Sequence, residues 1–200
     1  MKKYFVTGIA IVAALATFVL TQNTASAIKA ESPATIHWYT LEEAQKLSDV
    51  NPRKIFIDFT TSWCGWCKTM EANTFQNPTI ARYMNANYYC VRFDAETHDT
   101  VTFNGQKFWN RGAANQRSAN DFAITVLQSR LSYPSFAFVS KDRMSFTIMQ
   151  GYQAPEAFEP YIHFYAEDRE KTEDFNVYKQ TFISELHGTS PTTTPAPGGH

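Results

Sequence analysis

The stretch KIFIDFTTSWCGWCK, residues 54–68, constrains this chain more than any other. Lys54 to Phe59 is almost wholly apolar, with β-branched and aromatic side chains. That pattern suits a central strand buried on both faces better than a half-exposed edge. Cys64 and Cys67 follow where a helix would begin. A strand running into a dithiol admits three chemistries: a metal half-site, a structural staple, or a pair that exchanges electrons with other proteins.

A structural zinc site takes four Cys or His ligands in spaced pairs. This chain has one C-x-x-C, a lone Cys90 and five histidines without H-x₃₋₅-H spacing, so the remaining ligands are missing. A bridge between cysteines so close in sequence closes a very small loop and removes little unfolded-chain entropy, which makes a poor staple. At a helix N-terminus, the dipole and free N–H groups stabilise a thiolate. Cys64 is therefore the expected nucleophile, with Cys67 one turn in, shielded, and placed to resolve a mixed disulfide. Asp58 lies inside IFIDF, where a charge is costly without a partner or a task. Burial should raise its pKa and let it take and return a proton near neutral pH. The competing reading makes Asp58 a simple turn cap at the strand end.

Compartment bears on the choice. The chain opens Met1-Lys2-Lys3, runs apolar from Tyr4 to Leu20, and reaches Ala25-Ser26-Ala27 after a polar TQNT. This is the pattern of a secretory leader cleaved after Ala27. A retained anchor is the alternative, but the apolar run is shorter than the roughly 20 residues of a spanning helix. Cleavage leaves 173 of the 200 residues, enough for one domain with a full core. A net charge of −1 without a basic stripe argues against a nucleic-acid partner. Three cysteines exclude a disulfide-rich scaffold, and in an oxidising compartment the odd one is a buried thiol or part of a reactive set. The domain should be a periplasmic or secreted monomer.

Residues 28–35 read as a flexible lead-in and 36–187 as the domain. Ile36–Thr40 predicts a short strand, and T-L-E-E from Thr40 a capping box opening a helix over Leu41–Ser48. The dithiol helix continues through CKTMEANTF. Asn77-Pro78 caps a second helix, and YYCVRFD predicts another strand. Strand, helix, strand, helix, strand favours an α/β class with parallel pairs.

Residues 95–118 read as an edge insertion carrying a β-hairpin around Asn104-Gly105. The spacing of Phe122, Val126, Leu127 and Leu131 predicts a helix with all four on one face. SFAFVS and SFTIMQG predict an antiparallel hairpin. Helical pattern resumes at Ala154, with a kink or restart at Pro160. A final helix should place Phe175, Tyr178, Phe182, Ile183 and Leu186 on one stripe, before a low-complexity tail at 188–200.

IDFTTSWCGWCK resembles the active-site segment of the thioredoxin family, in which an acidic residue on the central strand precedes W-C-G-P-C-K. The resemblance runs from about Ile36 to Tyr165 and is nearest to secreted bacterial thioredoxin-like proteins of the thiol:disulfide interchange group. It implies a thioredoxin fold, a mixed central sheet flanked by helices, here with the inserted hairpin and an extra C-terminal helix. It places Asp58 at the buried-acid position, Trp63 before the first cysteine, and Lys68 after the second. LSYPSFAFVS resembles the family's segment with a cis proline facing the dithiol, which makes Pro134 that proline and Tyr133 the residue whose backbone pairs with substrate. Gly151 also fits the family's pattern. The spacing from dithiol to proline is longer than in plain thioredoxin because of the insertion.

The implied activity is thiol:disulfide exchange with protein substrates, needing no small-molecule cofactor because electrons pass between sulfurs. An exported reductant would be recharged by a membrane electron donor. The pair Gly65-Trp66 replaces the family's Gly-Pro, and without a positive or histidine side chain between the cysteines it favours a reductant over a strong oxidant. Trp63 and Trp66 should form an apolar substrate platform, with Gly65, Tyr133 and Pro134 beside it. Cys90 falls where thioredoxins often place a lysine, and its expected part is that of a small buried hydrophobe. Trp109 suits either holding the insertion down or touching substrate. The competing function classes are a thioredoxin-fold binding or adaptor protein with a vestigial dithiol, and a reductant dedicated to one client such as an apocytochrome.

Overall fold

A computed structural model describes residues 35–186. The expected leader at 1–27, most of the lead-in and the tail at 188–200 lie outside the described residues. Strand β1 is Trp38–Tyr39, and helix α1, Leu41–Val50, follows at once. The capping box forms as predicted: the Glu43 N–H donates to Thr40 Oγ1 at 3.2 Å, and the Thr40 N–H to Glu43 Oε2 at 2.9 Å. Strand β2, Lys54–Thr60, leads to helix α2, Gly65–Met70, which continues as a π turn over Glu71–Phe75. Helix α3, Pro78–Asn87, starts at the Asn77 cap with Pro78 in its first turn. Strand β3 is Tyr88–Asp94.

A small separate hairpin follows, β4 at Val101–Phe103 and β5 at Gln106–Phe108. Asn104 and Gly105 turn it with φ of 49° and 78°, the left-handed pair that this dipeptide supplies cheaply. Helix α4 is Asp121–Val126. Strands β6, Ser135–Val139, and β7, Phe146–Gln150, form the predicted antiparallel hairpin. Helix α5, Pro155–Ala166, a 3₁₀ turn at Arg169–Lys171 and helix α6, Phe175–Thr181, complete the described chain.

The main sheet has the order β1-β3-β2-β6-β7. Strands β1 and β2 run parallel to β3, whereas β6 is antiparallel to β2 and β7 antiparallel to β6. Helices cover both faces of this mixed sheet, which is the thioredoxin fold. The alternation of β2 assigns its residues to two cores. Ile55, Ile57 and Phe59 pack with Leu41, Val91, Phe122 and Leu127 on one face. Phe56 packs with Met70, Phe75, Ile80, Cys90, Phe136 and Phe158 on the other. Aromatic rings knit the second core, with Phe56 within 5.4–6.4 Å of the rings of Phe75, Tyr88, Phe136, Phe138 and Phe158.

Three expectations are corrected. The helix α4 stops at Val126, because Gln128 and Ser129 adopt left-handed φ of 53° and 62°, and Leu131 is consequently exposed. No glycine announces that stop. Pro160 does not restart the helix: α5 runs continuously through it, with buried Phe158 and Ile162 holding both flanks to the core. Helix α6 ends before the predicted stripe does. Buried Glu159 accepts from the Ser184 hydroxyl at 2.5 Å and the Glu185 N–H at 2.7 Å, drawing the chain out in an extended course. Phe175, Tyr178 and Phe182 still pack on Tyr161, Phe164 and His163, but Ile183 is 87% exposed.

The inserted segment is part of the core. Phe103 and Phe108 bury against Phe122, with ring centroids 5.4 Å apart in each pair. Fully buried Asn120 ties down its base: the Asn120 amide donates to the Thr97 and Asp99 carbonyls at 3.2 Å, and its Oδ1 accepts from the Phe122 N–H. Replacing Asn120 with Ala leaves those groups unpaired and the α4 cap empty. Urea unfolding should show a loss of about 2–3 kcal/mol.

Candidate functional site

Strand β2 delivers the chain to the dithiol. After Thr60 a single turn, with the Cys64 N–H donating to the Thr61 carbonyl at 3.1 Å, sets Cys64 as the N-cap of α2. Cys64 and Cys67 are joined as a disulfide with Cα atoms 5.3 Å apart. The Cys67 N–H donates to Cys64 Sγ at 3.0 Å, so an N–H of the first helical turn is aimed at the sulfur that would carry negative charge. The expected contrast between an open Cys64 and a shielded Cys67 is not found. Both are buried, at 4% and 8% exposure.

Asp58 is buried within β2 and is no turn cap. Its Oδ2 lies 3.5 Å from Arg92 Nε, and Oδ1 has no hydrogen-bond partner among the described residues. Burial raises its pKa to about 7; Arg92 opposes that rise and Glu71 adds to it. Arg92 is the register partner of Asp58 across the parallel β2–β3 pair, which puts both side chains on one face. The guanidinium also contacts the Glu71 carboxylate and lies 4.1 Å from the centroid of Trp38. The Glu71 N–H donates to the Cys67 carbonyl, so an ion-pair chain runs from Asp58 to the turn that continues the dithiol helix. Arg92 and Glu71 were not legible as site residues. The available signal was an arginine between apolar neighbours in YYCVRF, whose partner depends on strand register. Cys90 packs in the core as expected, its thiol pushed far up by burial and by Asp58.

The residues expected to meet substrate make two separate aromatic contacts. Trp63 is 46% exposed and meets the Tyr133 ring edge-on at 6.0 Å. Trp66, 62% exposed, leans on Tyr152 at 5.5 Å, a partner that sequence reasoning missed. Nothing stands within 4 Å of where a Cβ on Gly65 would lie, so the surface between the two tryptophans is open. The Tyr133-Pro134 peptide is cis. The Pro134 carbonyl accepts from the Gly151 N–H at 2.8 Å, tying that loop to the end of β7. Gly151 has φ of 88°, a conformation that favours glycine. The Tyr133 phenol is held up at about 12 by burial, then by Glu96 and Asp94, and so stays neutral. Trp109 is half exposed under the Arg111 guanidinium, 5.0 Å from its ring centroid. Among the described residues no group of three or more His, Cys, Asp or Glu is arranged to hold a metal ion.

Residues 18–110 match the model of a family described as Thioredox_DsbH, protein of unknown function, DUF255. Spermatogenesis-associated protein 20 of Mus musculus is 36% identical over 67 residues, which is 33% of this chain and 8% of the mouse protein. An uncharacterized protein of Archaeoglobus fulgidus is 33% identical over 69 residues, covering 33% of this chain and 54% of the archaeal one. The chain thus matches only a minor part of the mouse protein. Among solved structures, a DsbH oxidoreductase aligns over 67% of this chain and 86% of its own, with 17% identity and a TM-score of 0.48. A thioredoxin-fold protein from Helicobacter pylori aligns over 65% and 84%, with 12% identity and a TM-score of 0.49. Sheet order and the place of the disulfide on it are those of a thioredoxin fold, and residues 18–110 are similar to the family described as Thioredox_DsbH.

Proposed function

We propose that this protein is an exported thiol:disulfide oxidoreductase that reduces protein disulfides through Cys64 and Cys67. The observation that carries the reading is a buried carboxyl, titrating at about 7, linked through Arg92 and Glu71 to the helix that bears the disulfide. Ordinary packing gives no reason to bury an acid there, whereas proton transfer to and from a resolving thiol does.

In the reduced protein, the Cys64 thiolate attacks one sulfur of a substrate disulfide. A Cys64–substrate disulfide forms, and the first substrate sulfur leaves as a thiolate that takes a proton from water. Ionised Asp58 accepts the Cys67 proton, and the Cys67 thiolate attacks Cys64 Sγ. The second substrate sulfur then leaves and is protonated, with Asp58 the proton source. Two electrons have passed to the substrate, and the protein holds the Cys64–Cys67 disulfide. A membrane dithiol donor would return the two electrons, as export requires of a reductant. Trp63, Trp66, Tyr133 and Pro134 form the groove for an extended substrate chain, and Gly65 leaves it open. Export after cleavage at Ala27, action as a monomer and the reducing direction belong to this proposal.

Insulin reduction with dithiothreitol as electron source tests it. The wild-type protein should turn over and Cys64→Ser should not. A redox titration should give a potential nearer to thioredoxin's, about −270 mV, than to a strong oxidant's, about −120 mV. A wild-type protein that shows no turnover and no measurable potential would sink the enzyme reading.

A further inference from the structure

The inserted segment reaches back to the dithiol. The Trp63 Nε1–H donates to Glu96 Oε2 at 2.9 Å, and the Arg117 guanidinium lies 4.6 Å from the Trp63 ring centroid. Both residues belong to the stretch between Ala95 and Asn120, yet they are 21 residues apart in sequence. Asn110 brings their two ends together. Its amide donates to the Glu96 carbonyl at 3.1 Å and to the Ser118 carbonyl at 2.7 Å, and its Oδ1 accepts from the Gly112 N–H and the Ser118 hydroxyl. Space is tight at this knot: a Cβ on Gly112 would meet Ser118 Oγ at 2.1 Å, so only glycine fits. The third contact on Trp63 is the Tyr133 ring, on the opposite branch of the site.

An exposed tryptophan free to change rotamer must be ordered each time a substrate docks, and that ordering weakens binding. Here a hydrogen bond on the indole N–H, a cation over the ring and an edge-on phenol fix the rotamer beforehand. We infer that Glu96 and Arg117 are positioning residues for Trp63, and that this bracket makes the site selective for extended polypeptide disulfides over small ones. The inference rests on the oxidoreductase reading. A polypeptide bearing an apolar residue beside its cysteine presses on the wall that Trp63 and Tyr133 make. A small aliphatic disulfide reaches the sulfurs without using that wall, so it should be indifferent to the bracket.

The experiment uses the full chain as Glu96→Leu, Arg117→Ala, the double variant and the conservative Glu96→Gln, which keeps an acceptor for the indole. KM for insulin should rise about three- to tenfold in the double variant, the loss expected when one immobilised side chain is set free. kcat, the rate with hydroxyethyl disulfide and the unfolding midpoint should stay unchanged, and Glu96→Gln should resemble wild type. By NMR, the Trp63 indole N–H signal, assigned with Trp63→Phe, should be exchange-protected in wild type and lose that protection in Glu96→Leu. An unchanged insulin KM in the double variant, or equal losses on both disulfides, would overturn the inference while leaving the oxidoreductase reading intact. A wild-type protein that reduces neither disulfide sinks that reading, and this inference with it.

Discussion

Cys67→Ser should convert a turning-over protein into one that captures its substrates. With Ser at 67, the Cys64 thiolate can still attack a disulfide, because its N-terminal position on α2 and the residue-67 N–H aimed at its sulfur are main-chain features. The resulting mixed disulfide has no internal thiol to resolve it, so release waits on an external one. Steady-state insulin reduction should fall by roughly two orders of magnitude or more. Non-reducing electrophoresis and intact mass should show one-to-one adducts that dithiothreitol removes. Cys64→Ser should form none, since Cys67 has no turnover role without its partner. Adducts of equal amount in both variants would overturn the assigned roles. Captured proteins also separate a general reductant from a single-client one: many adducts fit the first, one dominant adduct the second.

Asp58→Asn should stabilise the oxidised protein at neutral and alkaline pH, a rare direction for a core substitution. The folded-state pKa of Asp58 is raised from 3.8 to about 7. Between those values the folded protein holds a proton that the unfolded chain has released, so the stability contributed by this group is present below pH 4 and is lost as pH rises through 7. Above pH 7 the loss amounts to about 4 kcal/mol at 1.36 kcal/mol per unit. Asn has no proton to lose, and leaving Arg92 with Glu71 alone takes back part of the gain. The net stabilisation at pH 8 should be on the order of 3 kcal/mol, or roughly 6–12 °C in Tm, and should vanish near pH 4. The same substitution removes the proton acceptor for Cys67. The resolving step should slow about 10²-fold and lose its inflection near pH 7 in a stopped-flow pH series. A gain in stability that does not grow between pH 4 and pH 8 would show that Asp58 is not the titrating group.

These outcomes divide along the line between local and long-range information. Thr40 and Glu43, Asn77 and Pro78, and Asn104 and Gly105 act within a few residues of themselves, so a capping box, a helix start and a hairpin turn could be read from adjacent letters. The unbroken apolar run at Lys54–Phe59 marked the central strand, and its one acid marked the site. Where local signals were silent or overruled, the reading failed. The left-handed Gln128 and Ser129 carry no glycine to announce them, and the pull of Glu159 on residues 184 and 185 spans 25 residues or more.

By itself, then, the sequence determined the dithiol, the buried acid and the element order that makes a mixed α/β sheet, because each is written in short spacings, while the Tyr133-Pro134 turn came from the family resemblance. Tertiary structure alone decided what surrounds them. Strand register set Arg92 against Asp58, tertiary packing buried both sulfurs, and Asn110 folded the insertion back so that Glu96 and Arg117 hold Trp63. The contacts of Arg92 with Asp58 and of Glu96 and Arg117 with Trp63 join residues 33 to 54 positions apart, and no local propensity encodes a pairing across such distances.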